Sequence, residues 1–196
     1  MMPWAEWKEE ELALCLHFVD PLLRPSLLQQ WSASLGQPPF RLPYAGNVVL
    51  VGHRAAGKST LSSLIAGRLA CTGYDLDHEI ELRTKEPLRD LFARDQTAFR
   101  RLERDVFRSL PGGTVVSVGG GFLSHHADLL EGHLAVLVPI SFTTYRERLL
   151  KDATRPRLRP ELSLEDEIRV VYDEREALHA RIPTVPLADF LARGVV

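Results

Sequence analysis

The sequence predicts an α/β fold built on a mostly parallel, doubly wound sheet. Short apolar runs with the length of buried strands alternate with segments that carry apolar residues at helical spacing. A glycine-rich loop, residues 52–60, lies directly between the first such strand and the first such helix. Ligands of sheets of this type bind at the carboxyl ends of the strands. The loop stands at one of these ends, so we expect the functional site there.

The predicted elements follow one another along the chain in β-α order. The strands are predicted at residues 47–51, 72–77, 114–118, 134–138 and 184–187. The helices are predicted behind the loop at 61–69, as short segments within 80–92, and at 96–110, 143–150 and 164–180. Residues 154–160 are rich in arginine and proline, which indicates a loop.

Residues 1–45 are predicted to form a separate helical extension with a proline-rich linker, ahead of a domain over 46–196. One helix would place Trp4, Trp7, Leu14, Cys15, Phe18 and Leu22 near one face. Asp20-Pro21 would break it, and a second helix would run over 25–35. We expect this hairpin to pack on the domain; a surface for protein partners or self-association is the alternative.

The amino-acid composition argues against nucleic-acid-binding and membrane-spanning classes of protein. The chain has 196 residues, 45% hydrophobic and 26% charged, which is ordinary for a soluble globular protein. Its net charge of −2 gives no sign of a nucleic-acid or anionic-membrane partner. Cys15 and Cys71 lack metal-site spacing and are predicted to be small buried residues in a reducing compartment. No apolar run could span a bilayer, so we expect a cytoplasmic protein. Separately, we expect a monomer.

Residues 52–60 read G-H-R-A-A-G-K-S-T and fit the phosphate-binding pattern G-x-x-x-x-G-K-[ST]. Gly52 allows the sharp turn, and Gly57 lets backbone N–H groups approach phosphate oxygens. Lys58 can reach the β- and γ-phosphates, and the Ser59 hydroxyl can ligate Mg²⁺. The sequence therefore predicts a site for a nucleoside triphosphate.

Asp75 and Asp77 end the second predicted strand, where alternation would direct both carboxylates to one side. Their mutual repulsion is relieved if a cation or a substrate proton lies between them. We therefore interpret Asp75 as metal-associated and Asp77 as the group that accepts a hydroxyl proton. A solvated pair at the strand end is the alternative.

Two further patterns suit the binding of a small acid. Arg100 and Glu103 are spaced i, i+3 on a predicted helix, which fits either a surface ion pair or an oriented, carboxylate-binding arginine. Residues 119–121 are three glycines directly after a strand, as expected where a ligand approaches the backbone closely.

Arginines also mark the second half of the chain. Arg155, Arg157 and Arg159 lie in the proline-bearing loop, where they could close over developing phosphate charge. Arg148 could stack on an adenine ring. By its neighbours alone, Arg175 is interpreted as a helical charge-pair residue.

The histidines are interpreted as polar turn residues, not as metal ligands. His53, His125 and His126 have no second cluster of carboxylates or thiols beside them in the sequence.

Taken together, the motifs resemble the shikimate kinase family over about residues 46–196. They occur in the family's order: the phosphate loop, Asp75-Leu76-Asp77, Phe99-Arg100-Arg101-Leu102-Glu103, Gly119-Gly120-Gly121, Arg155-Pro156 and Arg175. The resemblance implies a P-loop NTPase-type three-layer α/β/α fold, with a five-stranded parallel sheet, substrate-binding helices and a lid.

The resemblance also implies residue roles. ATP would contact Ala55, Ala56, Gly57, Lys58, Ser59, Thr60, Arg148 and Arg155. Shikimate would contact Asp77, Arg100, Glu103, Gly120, Gly121 and Arg175. Ser59 and Asp75 would hold Mg²⁺, and the catalytic residues would be Lys58, Asp77 and Arg155.

Several positions depart from the family pattern, among them Asp95-Gln96, which replaces a usual Gly-Glu before the Phe-Arg motif. Ala55 and Lys85 stand where the family usually has glycine, Arg157 stands at a usually apolar lid position, and His179 stands where tyrosine is common. None of them removes a catalytic group.

The implied activity is transfer of a phosphoryl group from ATP to the 3-hydroxyl of shikimate, giving shikimate 3-phosphate, a step of aromatic amino acid biosynthesis. Two alternatives stay open at this point. One is a kinase for another small hydroxy acid such as gluconate, and the other is a non-catalytic ligand-sensing module of the same fold.

Overall fold

The fold is organised around five parallel strands. A computed structural model describes residues 6–152, 154 and 156–196. The strands are β1 (Val48–Val51), β2 (Gly73–Asp75), β3 (Val115–Ser117), β4 (Leu134–Leu137) and β5 (Val185–Pro186). Their order is β2-β3-β1-β4-β5, with the strand before the phosphate loop in the centre. The predicted parallel α/β fold is thereby confirmed.

Helices cover both faces of the sheet. They are α1 (Glu9–Val19), α2 (Arg24–Ser34), α3 (Lys58–Arg68), α4 (Leu76–Thr84), α5 (Leu88–Arg94), α6 (Gln96–Arg108), α7 (Phe122–His126), α8 (Phe142–Lys151), α9 (Leu164–His179) and α10 (Leu187–Arg193). A short 3₁₀ turn follows α7. Among the described residues, no helix combines the length and the apolar character needed to cross a bilayer.

The central strand divides the core into two apolar clusters. Successive side chains of β1 point to opposite faces, so Val48 and Leu50 join one cluster while Val49 and Val51 join the other. All four are fully buried, as expected for a parallel strand covered on both sides.

The N-terminal helices pack against the first of these clusters. Leu12 and Leu16 of α1 are fully buried there, together with apolar residues of α3 and α8. Asp20 is also buried, and its carboxylate accepts hydrogen bonds from the Ser141 amide and the Thr144 hydroxyl at 2.6 and 2.7 Å. The extension thus contributes to the core that supports the sheet, while the predicted domain boundary at residue 45 stays a prediction.

The predicted buried face of the first helix was wrong at three positions, since Leu14, Phe18 and Leu22 are about 60% exposed. Trp7 and Cys15 of that face are buried as predicted, and α1 also buries Leu12, Leu16 and Val19. Both stripes are apolar, so periodicity alone did not select the one that packs. Trp4, assigned to the same face, lies outside the described residues.

Other differences from the predicted elements are local. Leu64 and Leu82 are exposed although they matched apolar helical spacing, and Cys71 is only partly buried. Helices α7 and α10 were not predicted because α7 is short and α10 follows the two-residue strand β5 without a break.

Candidate active site

The phosphate loop connects β1 to α3, as the sequence predicts. Gly52 has φ +138°, and a Cβ atom there would lie 2.6 Å from the Val138 carbonyl oxygen. Gly57 has φ +82° and immediately precedes the first residue of α3. Both positions therefore need glycine, one for close approach and one for a left-handed backbone. The loop places its N–H groups and the α3 N-terminus at one end of the central strand, where an anion is favoured.

Lys58 lies against the loop that carries it. Its Nζ atom donates hydrogen bonds to the carbonyl oxygens of Gly52 and His53, at 3.1 and 2.5 Å. The side chain is buried within this turn. A triphosphate bound to the loop would compete with these carbonyls for the ammonium group.

Asp75 and Ser59 are in direct contact. The Asp75 carboxylate accepts hydrogen bonds from the Ser59 hydroxyl and, at 3.2 Å, from the Ser117 hydroxyl. It also caps α4 by accepting from the His78 amide at 3.1 Å. A carboxylate beside a hydroxyl is a set of oxygen donors that suits Mg²⁺.

Asp77 does not lie on a strand. The strand β2 ends at Asp75, and Asp77 occupies the first turn of α4, so strand alternation was the wrong reason for placing the two carboxylates together. The Asp77 carboxylate nevertheless faces the cleft, 3.2 Å from where a Cβ atom of Gly119 would stand. Burial, followed by the charges of Asp75 and Glu103, raises the Asp77 pKa to about 6. Such a carboxyl is poised to exchange a proton near neutral pH.

Arg100 is held by a buried carboxylate. Its Nη1 atom donates to Glu103 at 2.7 Å, and His126 contacts the same Glu103 oxygen at 3.0 Å. Glu103 is only 1% exposed, so this is not the surface ion pair that the spacing also allowed. The pair fixes the guanidinium group at the edge of the cleft.

The three glycines make room for arginines. A Cβ atom on Gly121 would lie 2.8 Å from Arg100 Nη2, and one on Gly120 would lie 2.8 Å from Arg175 Nη1. The Gly120 Cβ would also stand 2.6 Å from the Arg54 backbone nitrogen. A side chain at either glycine would displace the guanidinium groups, which explains the glycines better than a plain turn does.

Arg175 is buried with unused hydrogen-bonding capacity. Its Nη1 atom has no hydrogen-bond partner among the described residues, and neither does Nε of Arg54. Burial, with the nearby charge of Arg54, lowers the Arg175 pKa to about 10. Arg175 is therefore not the helical charge-pair residue that its sequence neighbours indicated. Unpaired buried donors of this kind favour an anionic ligand.

The lid residues converge on one carboxylate of α9. Glu167 accepts hydrogen bonds from Arg157 Nε at 2.6 Å and from the amides of Leu158 and Arg159 at 3.0 and 3.2 Å. Arg157, at the usually apolar lid position, thus has an ion-pair partner. Arg155, the predicted phosphate-closing residue, lies outside the described residues.

Arg148 contacts both the phosphate loop and the N-terminal extension. It donates to the Ala55 carbonyl at 2.7 Å and to the Phe18 carbonyl at 2.8 Å. The end of α1 therefore borders the nucleotide side of the cleft. Adenine stacking by Arg148 stays a prediction.

One cleft of about 750 Å³ unites these groups. Arg157 and Arg159, which the sequence suggested could close over phosphate charge, do not line it and instead pair with Glu167 and Glu174. Every residue to which the family resemblance gives a role, and which the structure describes, does line it. They are Ala55, Ala56, Gly57, Lys58, Ser59, Thr60, Asp75, Asp77, Arg100, Glu103, Gly120, Gly121, Arg148 and Arg175. The phosphate loop, the Asp77 carboxyl group and the guanidinium groups of Arg100 and Arg175 therefore line the same space.

A family model described as shikimate kinase matches residues 54–189. The chain belongs to the shikimate kinase family. Among curated relatives, the shikimate kinase of Chlorobium luteolum is 33% identical over 142 residues, which are 66% of this chain and 70% of that protein. The shikimate kinase of Thermobifida fusca is 39% identical over 118 residues, 56% of this chain and 67% of the relative.

Solved structures agree with the family assignment. Shikimate kinase from Acinetobacter baumannii in complex with shikimate aligns with a TM-score of 0.66 and 27% identity, covering 77% of this chain and 89% of that one. Shikimate kinase from Aquifex aeolicus aligns with a TM-score of 0.60 and 28% identity, covering 73% and 86%.

Two departures from the shikimate kinase pattern adopt the backbone conformation that glycine favours. Ala55 has φ +60° in the phosphate loop, and Lys85 has φ +57° at the end of α4. The left-handed conformation is thus kept without glycine, at some cost in backbone strain.

Sequence reasoning missed Arg54 and misread two histidines. Arg54 occupies a variable position of the phosphate loop, so the motif gave it no role. His53 and His126 are buried and bonded to Glu176 and Glu103, not exposed in turns. Because these partners are far away in the sequence, no spacing pattern could reveal them.

Proposed function

We propose that this shikimate kinase family member transfers the γ-phosphoryl group of ATP to the 3-hydroxyl of shikimate. The observation that carries the proposal is the juxtaposition of Lys58, Asp77 and Arg175 in one cleft. A gluconate kinase would keep the phosphate loop but would not need Arg100 and Arg175 beside the same glycines.

On the acceptor side, Arg100 and Arg175 bind the shikimate carboxylate. Charge-assisted hydrogen bonds of this type are worth about 1.5–3 kcal/mol each. Glu103 orients Arg100 through the 2.7 Å contact, and the amides of Gly120 and Gly121 contact the substrate. These interactions fix the acid so that one hydroxyl faces Asp77.

Asp77 accepts the proton of the 3-hydroxyl as the oxygen attacks the γ-phosphorus. Its pKa of about 6 leaves it ionised at neutral pH and still basic enough to assist the attack. The bond from the γ-phosphorus to its bridging oxygen breaks, and ADP leaves.

Lys58 and the loop amides bind the phosphates and stabilise charge that develops in the transition state. Ser59 and Asp75 supply the oxygen ligands for Mg²⁺, which would neutralise phosphate charge when bound. Arg148 packs on the adenine ring, and Arg155 closes over the phosphates.

The remaining assignments are a cytoplasmic location, a monomer, and protein contact through the N-terminal helices. Cys15 and Cys71 are free thiols, which suits a reducing compartment. Leu14, Phe18 and Leu22 are each about 60% exposed and are the apolar side chains that a protein partner would contact.

The test is an ADP-release assay with shikimate, gluconate or no acceptor, followed by ³¹P NMR of the product. We expect turnover only with shikimate and a new phosphate monoester resonance coupled to the proton on C3. Equal rates with gluconate, or no turnover with any acceptor, would contradict the proposal.

A further inference from the structure

We propose that His53, Glu176 and His179 form a second metal site, for a zinc-class divalent ion, separate from the Mg²⁺ site. His53 Nε2 lies 2.7 Å from Glu176 Oε1, and His179 Nδ1 lies 3.5 Å from the same oxygen. The three ligand atoms all lie within 4.8 Å of one another. The inference does not depend on the proposed function.

Two distant elements supply these ligands. His53 is the second residue of the phosphate loop, directly after Gly52, whereas Glu176 and His179 come from α9. The i, i+3 spacing of Glu176 and His179 places both side chains on one helix face. The same Glu-x-x-His spacing supplies metal ligands in helical carboxylate proteins.

The histidine rings are fixed by their neighbours. The His53 ring stacks on Tyr172, with centroids 4.4 Å apart and planes inclined by 7°, and it contacts Tyr145 at 5.1 Å. His179 packs edge-on against His53 at 4.8 Å. A ligand set that is already oriented loses little side-chain entropy when an ion binds.

Burial favours the neutral form of both histidine rings. Burial lowers the pKa of His53 to about 2 and that of His179 to about 4, with a smaller contribution from nearby positive charges. A neutral ring can offer a lone pair to a metal. In this structure Nε2–H of His53 donates to the Glu176 carboxylate, so binding an ion at Nε2 moves the ring proton to Nδ1. Nδ1 has no hydrogen-bond partner in the described part of the chain, which lowers the affinity for the ion.

The ligand types select the ion. Two imidazole nitrogens and one carboxylate, with a fourth position open to water, form a known type of zinc site. Glu176 is about half exposed, so water and the ion can reach this position. Mg²⁺ prefers oxygen donors and would stay with Ser59 and Asp75.

Neighbouring cations set a limit on the affinity. The charges of Lys58, Arg54 and Arg175 act on His53 and oppose a dication, while Glu176 offsets one charge. We therefore expect weaker binding than in a closed site with four protein ligands. A bound ion would link His53 to α9. The backbone carbonyl of His53 accepts a hydrogen bond from Lys58, and α9 carries Arg175.

The experiment is a Zn²⁺ titration of the metal-stripped full chain against a chromogenic chelator, without nucleotide. The variants are Glu176→Gln and His179→Phe, and the matched control is Glu174→Gln on the same helix. We expect the wild type and the control to bind one more equivalent than either variant, with affinity at this site reduced on the order of 100-fold by each substitution. Added Zn²⁺ should raise the melting temperature of the wild type and the control only.

Co²⁺ provides a readout of the ligands themselves. We expect the visible absorption of tetrahedral Co²⁺ in the wild type and its loss in both variants, with no thiolate charge-transfer band from Cys15 or Cys71. Unchanged stoichiometry in Glu176→Gln and His179→Phe would overturn the proposal, as would a thiolate band in the wild type. If one of these variants does not fold, the metal stoichiometry of the other tests the proposal.

Discussion

The two ends of the cleft are prepared for their ligands in different ways. At the nucleotide end, polar groups already bond to one another: Lys58 to two loop carbonyls, Ser59 to Asp75, and Arg148 to two further carbonyls. At the acceptor end Arg100 bonds to Glu103, but Arg175 Nη1 and Arg54 Nε have no hydrogen-bond partner among the described residues.

This difference indicates different energetics of binding. ATP must exchange internal hydrogen bonds for new ones, so part of its interaction energy is spent on reorganisation. The acid instead enters a position where a buried guanidinium is under-bonded and repelled by a like charge, so binding relieves an existing strain.

Replacing Lys58 should have the largest effect. Lys58→Met should lower kcat by about 10³-fold, because a preorganised cation is lost from the developing phosphate charge. It should also lower the melting temperature, since two loop hydrogen bonds are lost. The exposed Lys151→Met is the matched control, and the ADP-release assay is the measurement. Near-normal turnover in Lys58→Met would contradict its role.

Substitutions of Arg100 and Arg175 should have similar effects on shikimate binding but different effects on the stability of the fold. Arg100→Met and Arg175→Met should each raise the KM for shikimate by about 10- to 100-fold and leave the KM for ATP nearly unchanged. Arg100→Met should also destabilise the fold by about 3 kcal/mol, because buried Glu103 loses its ion-pair partner. Arg175→Met should be neutral or stabilising. The measurement is urea unfolding, and Arg146→Met is the exposed control. Equal losses of unfolding free energy in Arg100→Met and Arg175→Met would refute this expected difference in stability.

The pH dependence should report Asp77, which lies between the two ends. Since the ionised carboxylate is the base, kcat/KM should fall about tenfold per pH unit below its pKa of about 6. This limb should be absent from the residual activity of Asp77→Asn. A wild-type profile that stays flat down to pH 5 would argue against Asp77 as the base.

Stability should change with pH in the opposite direction. The Asp77 pKa is raised above its unfolded value of about 3.9, so between about pH 4 and 6 the folded state binds more protons. This group therefore makes the protein less stable as the pH rises through that window. Thermal melts of Asp77→Asn should lack the decrease.

The smallest effect on the reaction is expected from the N-terminal helices. Leu16→Ala should lower the free energy of unfolding by about 2–5 kcal/mol, because Leu16 is fully buried in the core cluster. Leu14→Ala, on the exposed face of the same helix, should change it by less than about 0.5 kcal/mol. Both variants should keep the shikimate KM when folded. Equal unfolding free energies of Leu16→Ala and Leu14→Ala would show that α1 does not contribute to the core.

Local patterns predicted most of the fold and most of the cleft. The strand–loop–helix around Lys58 follows from residues adjacent in sequence, and so does the helix that carries Arg100. The position of Asp77 on α4 did not follow, because β2 and α4 meet without a loop.

Contacts between elements that are distant in the chain could not be predicted from the sequence. Both stripes of α1 are apolar, so only contact with α3 and α8 decides that Leu16 is buried and Leu14 exposed. His53 and Glu176 are 123 positions apart, and the roles of Arg54 and Arg175 depend on their mutual distance. Such relations arise only when separate elements pack.

Isothermal titration of shikimate into the nucleotide-free protein tests the difference between the two ends most directly. We predict measurable binding to the wild type and to Lys58→Met, and a loss of about tenfold or more in affinity for Arg175→Met. Equal affinity of the wild type and Arg175→Met, or binding of shikimate only when ATP is present, would contradict the account.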